Sequence, residues 1–133
     1  MKHYDLFIDN KWVKSSIGET FTSTCPATGE VLASFEEAGL DDVDKACQVA
    51  RRTFNSGVWS RMENNERAKI MLKDADIMQR RWDELCRMEA QDTGKPIHEV
   101  ETGDMPYSIY AFRYFANIAR EINGELIPVA TAA

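Results

Sequence analysis

The residue types that could do chemistry are few in this chain, and their spacing argues against most reactions. The strongest nucleophiles available are Cys25, Cys47 and Cys86, which lie far apart and are odd in number. No Cys-x-x-Cys occurs, so a disulfide framework or zinc site is not expected and a reducing compartment fits best. Cys47 and Cys86 fall on or beside apolar helical faces, where cysteine acts as a small buried hydrophobe. Cys25 lies in a turn and is expected to be accessible, but no neighbouring histidine or basic residue would lower its pKa.

The other motifs fail for similar reasons. His98-Glu99-Val100-Glu101 lacks the second histidine of a His-Glu-x-x-His zinc helix, and the only other histidine is His3. Gly94-Lys95 looks like the end of a phosphate loop, but position 89 is Glu and Pro96 stands where Ser or Thr is needed. The seven glycines never form Gly-x-Gly-x-x-Gly, so a dinucleotide fingerprint is missing. Glu36-Glu37 and Asp41-Asp42-Asp44 precede or open a helix, where acids suit the positive end of the dipole. These residues make no self-sufficient catalytic constellation.

The elements that would position them can be read in order. Leu6-Phe7-Ile8 and Lys11-Trp12-Val13 flank Asp9-Asn10, which predicts a hairpin. Phe21 to Thr24 and Glu30 to Phe35 predict a second strand pair around Cys25-Pro26-Ala27-Thr28-Gly29. Residues 1–36 thus read as two β-hairpins. A helix over 41–56 follows, capped by Asp41, with Val43, Ala46, Cys47, Ala50 and Phe54 on one face.

The organising stretch is a pair of helices. Over 64–92, Met71, Ala75, Met78, Trp82 and Leu85 form one apolar stripe, with Asn64 or Asn65 as N-cap. Gly94 is placed for a left-handed C-terminal residue, and Pro96 prevents continuation. A kinked helix over 96–123 follows, interrupted at Gly103 and Pro106, with a restart expected near Met105. Tyr107, Tyr110, Phe112, Tyr114, Phe115, Ile118 and Ile122 then surround most of its circumference. Such a helix must be buried on most faces, and the chain holds too little partner surface to do it. Asn123-Gly124 is the expected stop, and 125–129 the start of a strand.

Composition excludes some partners. A net charge of −6 and pI near 4.9 argue against nucleic acid or an anionic membrane. No run of about 18 apolar residues exists to span a bilayer. The start, Met1-Lys2-His3-Tyr4-Asp5, does not read as a signal peptide, and a cytoplasmic location is expected. Two hairpins and three helices over 133 residues look unfinished, since isolated hairpins are marginal in water.

Several segments, in collinear order, resemble the NAD(P)-dependent aldehyde dehydrogenases. They are residues 6–13, Cys25-Pro26-Ala27-Thr28-Gly29-Glu30-Val31, Asp41-Asp42-Val43-Asp44-Lys45-Ala46 and Trp59-Ser60. Asp92-Thr93-Gly94-Lys95-Pro96, Arg113-Tyr114-Phe115-Ala116 and Gly124-Glu125-Leu126-Ile127-Pro128 complete the series. The resemblance implies an α/β, Rossmann-type parent fold. Residues 1–133 would be the N-terminal part of its dinucleotide-binding domain, in a chain about three to four times longer. The parent reaction would be oxidation of an aldehyde to a carboxylic acid, by thiolate attack, oxyanion stabilisation and hydride transfer to NAD or NADP.

The family's nucleophile, base and cofactor loop map to no residue here, so the isolated chain is expected to be inactive and to bind no nicotinamide cofactor tightly. Two features do map. A structural monovalent cation would be held by a main-chain oxygen of Thr24, or of Ser23, and by Asp92, although Asp92 equally suits a cap for the turn before Pro96. A substrate tunnel would be shaped at Gly103 and Tyr107, where core packing is the competing reading. One departure is Cys25, where many relatives have an Asn that bonds the turn's backbone, a bond cysteine is expected to make poorly. Expected partners are the remainder of the longer chain or sister subunits, with self-association through the aromatic helix. The alternative is a non-enzymatic short paralogue that binds or modulates a full-length subunit.

Overall fold

The structure, a computed structural model, describes residues 1–128. Five strands come first: β1 (Lys2–Tyr4), β2 (Leu6–Ile8), β3 (Lys11–Val13), β4 (Thr20–Thr24) and β5 (Val31–Glu36). The helices α1 (Leu40–Ser56), α2 (Asn64–Arg80), α3 (Trp82–Thr93), α4 (Ile97–Glu99) and α5 (Met105–Ala119) follow. A π-helical turn, Val100–Asp104, joins α4 to α5.

Both expected hairpins are present. Asp9 and Asn10 turn between β2 and β3 with φ of 56° and 60°, the left-handed values that Asp and Asn tolerate. β4 and β5 pair antiparallel, with an irregularity between Ser23 and Thr24 that leaves Leu32 unopposed. Strand β1 was not anticipated. It adds to β5 in parallel, giving a three-stranded sheet ordered β1-β5-β4. Parallel pairing across thirty residues of intervening chain carries no local turn signal, which is why periodicity misses it. Tyr4, Phe35 and Phe21 stack across the three strands at centroid distances of 5.3 and 5.4 Å.

The core lies between the helices. Ala75, Cys86, Val100, Met105 and Ile109 are its buried members, with Met78, Trp82, Leu85 and Ala90 packed around them. The expected continuous helix over 64–92 is two helices. Arg81 breaks it with φ −98° and ψ 22°, although no Gly or Pro is near. Its guanidinium pairs with Glu84, Nε to Oε2 at 2.9 Å and Nη2 to Oε1 at 2.6 Å, and Trp82 turns onto the core. Neither Asn64 nor Asn65 caps α2. Glu63 does, its side chain accepting from the Glu66 N–H. At α1 the N-cap is Gly39, not Asp41, and the capping acid is Asp42. The Asp42 carboxylate accepts from Gly39 N (3.0 Å), Ser16 N (2.9 Å) and Ser16 Oγ (2.8 Å), which fastens the loop after β3 to the helix start.

The apolar face read on α1 is uncovered. Val43, Cys47 and Phe54 are all exposed, so Cys47 is not the buried hydrophobe expected, whereas Cys86 is. Helix α5 ends at Ala119, short of Asn123-Gly124, with Glu121 N bonding Ile118 O. Residues 125–128 form no strand, since no neighbouring strand offers a ladder, and Val129 lies outside the described residues.

The three hydrogen bonds, led by that from Ser16 N, hold the Asp42 carboxyl below its ordinary value of 3.8. A depressed folded pKa contributes stability above 3.8 and loses it as pH falls through the lower folded value. Urea midpoints measured from neutral to acidic pH should therefore fall below that point, and Asp42→Asn should flatten this part of the profile.

Candidate functional site

Two places gather the residues singled out by sequence. The first is the junction between the β4–β5 turn and the end of α3. Gly94 ends α3 in the left-handed region, at φ 74°. A Cβ there would lie 3.1 Å from Pro26 Cβ and 3.3 Å from Ala27 N, so any other residue would crowd the turn as well as strain the backbone. This close approach sets Asp92 beside β4, where Ser23 Oγ donates to Asp92 Oδ1 at 3.2 Å across 69 residues of sequence. Thr24 follows at the strand irregularity, with its side chain exposed. Ser23 and Asp92 thus meet at one seam, with Thr24 next along the strand.

Cys25 supports the same seam. It is buried, not accessible, and its N–H donates to Glu30 O while its carbonyl accepts from Gly29 N, both at 2.8 Å. Hydrogen bonding from the Thr28 hydroxyl, then from the Thr28 and Ala27 backbones, lowers the thiol pKa from its ordinary value.

The second place is an open groove against α5. The π turn widens the backbone between α4 and α5 and sets Gly103 on the groove wall, with Tyr107 one turn further on. Met78, Leu85 and Met88 line the opposite side, and the groove encloses about 1030 Å³. A Cβ at Gly103 would meet nothing within 4 Å, so the glycine leaves volume to the groove rather than to packing. Tyr107 is 73% exposed, so it is not packed by the described residues. Lys95 Nζ and Asp104 Oδ2, 2.7 Å apart, tie the two ends of the α4–π segment together at the groove edge. Sequence reading missed Met78, Met88 and Lys95 as groove residues. Their spacing is that of ordinary helical stripes, and only the π turn opposes them to Gly103.

The model of the aldehyde dehydrogenase family matches residues 12–133. The chain belongs to the aldehyde dehydrogenase family. DhaS of Bacillus subtilis (strain 168), named as an aldehyde dehydrogenase, is 44% identical over 127 residues, 96% of this chain and 26% of its own length. Human retinal dehydrogenase 2 is 40% identical over 130 residues, covering 97% and 25%. The fold is similar to that of the NAD+-bound aldehyde dehydrogenase of Bacillus cereus, with a TM-score of 0.87 at 36% identity over 97% of this chain and 26% of that one. The chain therefore spans about a quarter of the length of the aldehyde dehydrogenases it matches, as an N-terminal portion of the family's α/β fold.

Among the described residues no helix is long and apolar enough to cross a membrane. Nor do they fit a nicotinamide cofactor: no glycine-rich loop opens a helix beneath a strand end, and the groove against α5 is flanked by apolar side chains and an ion pair. No step of aldehyde dehydrogenase chemistry is assigned to them.

The Gly94 contact is directly testable. Gly94→Ala should cost about 1–2 kcal/mol from the left-handed conformation alone, before any clash with Pro26. Equilibrium urea unfolding of the variant beside the parent chain would measure it, and an unchanged midpoint would disprove the close approach.

Proposed function

We propose that this chain is the N-terminal portion of an aldehyde dehydrogenase that oxidises an aldehyde to a carboxylic acid with NAD or NADP, and that the isolated chain is inactive. The observation that carries this is the unpartnered surface of α5. Tyr107, Tyr110, Tyr114, Phe115 and Ile118 are exposed on a helix whose other side is already packed. A face of this kind is stable only against further protein, which would be the remainder of the aldehyde dehydrogenase chain or a sister subunit. Left alone, it should drive self-association.

In the larger protein the seam and the groove take distinct roles. Thr24, Ser23 and Asp92 hold a structural monovalent cation, whose positive charge would pin β4 to the end of α3; their oxygen-only character suits a hard cation. Gly103 and Tyr107 shape the path of the aldehyde, the glycine by leaving space and the tyrosine by presenting an apolar face with a polar edge. A second reading is a short, non-enzymatic product that docks on a full-length subunit.

The intact mass of the native gene product separates the two readings. A mass several times 15.1 kDa supports the enzyme, and one of 15.1 kDa supports the short partner. In the enzyme case the purified product should reduce NAD or NADP with an aldehyde. Gly103→Val should then change KM for bulky aldehydes more than kcat. Reduction of either nucleotide by the isolated 133-residue chain would overturn the inactivity reading. Light scattering should find that chain larger than a monomer, and a compact monomer at high concentration would refute the exposed-face argument.

A further inference from the structure

A cluster at the start of the chain is used by none of this. Pairing of β1 with β5 places His3 opposite Ser34 and two residues from Glu36, while Asp5 follows β1 and Lys14 follows β3. His3 Nε2 lies 3.0 Å from Glu36 Oε1 and 3.3 Å from Asp5 Oδ1. Lys14 Nζ sits among all three, 2.8 Å from Asp5 Oδ1, 3.0 Å from Glu36 Oε1 and 3.2 Å from His3 Nε2. An ammonium has three N–H donors and no acceptor, so it satisfies three acceptors at once. His3 Nε2 then serves as an acceptor, and His3 Nδ1 carries the proton and donates to Ser34 Oγ at 2.8 Å.

This is the arrangement of a coordinated cation. The imidazole is held by a hydroxyl on its far nitrogen, as ligating histidines are held by a second partner. The Ser15 N–H fixes the other oxygen of Glu36 at 2.9 Å. The three ligand atoms all lie within 4.8 Å of one another, with His3 Nε2 3.0 and 3.3 Å from the two carboxylate oxygens, close to the separation of about 3.3 Å that tetrahedral bonds of about 2.0–2.2 Å produce. The two carboxylates exceed the single ammonium by one negative charge. The Lys14 side chain is 67% exposed, so its ammonium can leave for solvent without burial of the charge.

We infer that His3, Asp5 and Glu36 bind a divalent transition-metal ion of the zinc or cobalt kind in place of the Lys14 ammonium. The ligands are one imidazole nitrogen and two carboxylate oxygens, with water completing the shell. The ion would staple β1 to β5, and Lys14 would act as its built-in competitor. This inference is independent of the aldehyde dehydrogenase reading.

The test is addition of Co²⁺ to the native gene product without an affinity tag. The visible absorption of four-coordinate Co²⁺ should appear and be displaced by Zn²⁺. His3→Ala should abolish it, and Ser34→Ala should weaken binding about 10-fold. Lys14→Met should strengthen binding at least about 10-fold by removing a competing charge, a gain that misfolding cannot mimic. Absence of the band in both the parent protein and Lys14→Met would overturn the site. A band that survives His3→Ala and is lost in His98→Ala would also overturn it.

Discussion

The close approach of α2 and α5 is the constraint on which the remaining structure depends. Ala68 and Ala75 on α2 and Ala116 on α5 are fully buried, and small side chains let helix backbones come together. The core fills in beside them with Val100, Cys86, Met105 and Ile109, none of them aromatic. With alanines taking the inner positions, the large rings of α5 have no room inside and face outward. The unfinished surface is thus a direct consequence of how the core is made.

That packing also explains two departures from regular helix. The chain breaks at Arg81 so that Trp82 and Leu85 reach the same core as Ala75, and it widens into a π turn so that Val100 and Met105 both point inward. Each departure has a second effect. The Arg81 break directs α3 toward β4, which brings Gly94 against Pro26 and Asp92 against Ser23. The π turn leaves Gly103 facing an open groove. The candidate sites of this aldehyde dehydrogenase segment are therefore by-products of core geometry, with no strained loop of their own.

The strand region follows different physics. Its hairpins are short and little buried, and polar contacts bind them to the helices: Asp42 to Ser16, and Arg52 to Asp9 at 3.0 Å. The exposed Arg52–Asp9 pair contributes little by itself. The buried Asp42 carboxylate, with three donors, is the firmer joint.

Local chemistry sufficed for part of this protein. Asp9-Asn10 demanded a tight turn because few residues accept positive φ at two successive positions. Gly94 before Lys95-Pro96 demanded a helix end, and the charged faces of 64–92 demanded a helix. Collinear motifs from Leu6 to Pro128 were enough to place the family, and Ser23 and Asp92, named from those motifs, do meet. Long-range pairing was decided only in three dimensions. Nothing near Lys2–Tyr4 announces a parallel partner thirty residues away, so the His3, Asp5, Lys14 and Glu36 cluster was invisible in the sequence. The break at Arg81, the burial of Cys25 and the exposure of Cys47 were equally hidden. Propensity and periodicity report which face of an element is apolar, whereas burial depends on whether another element arrives to cover it.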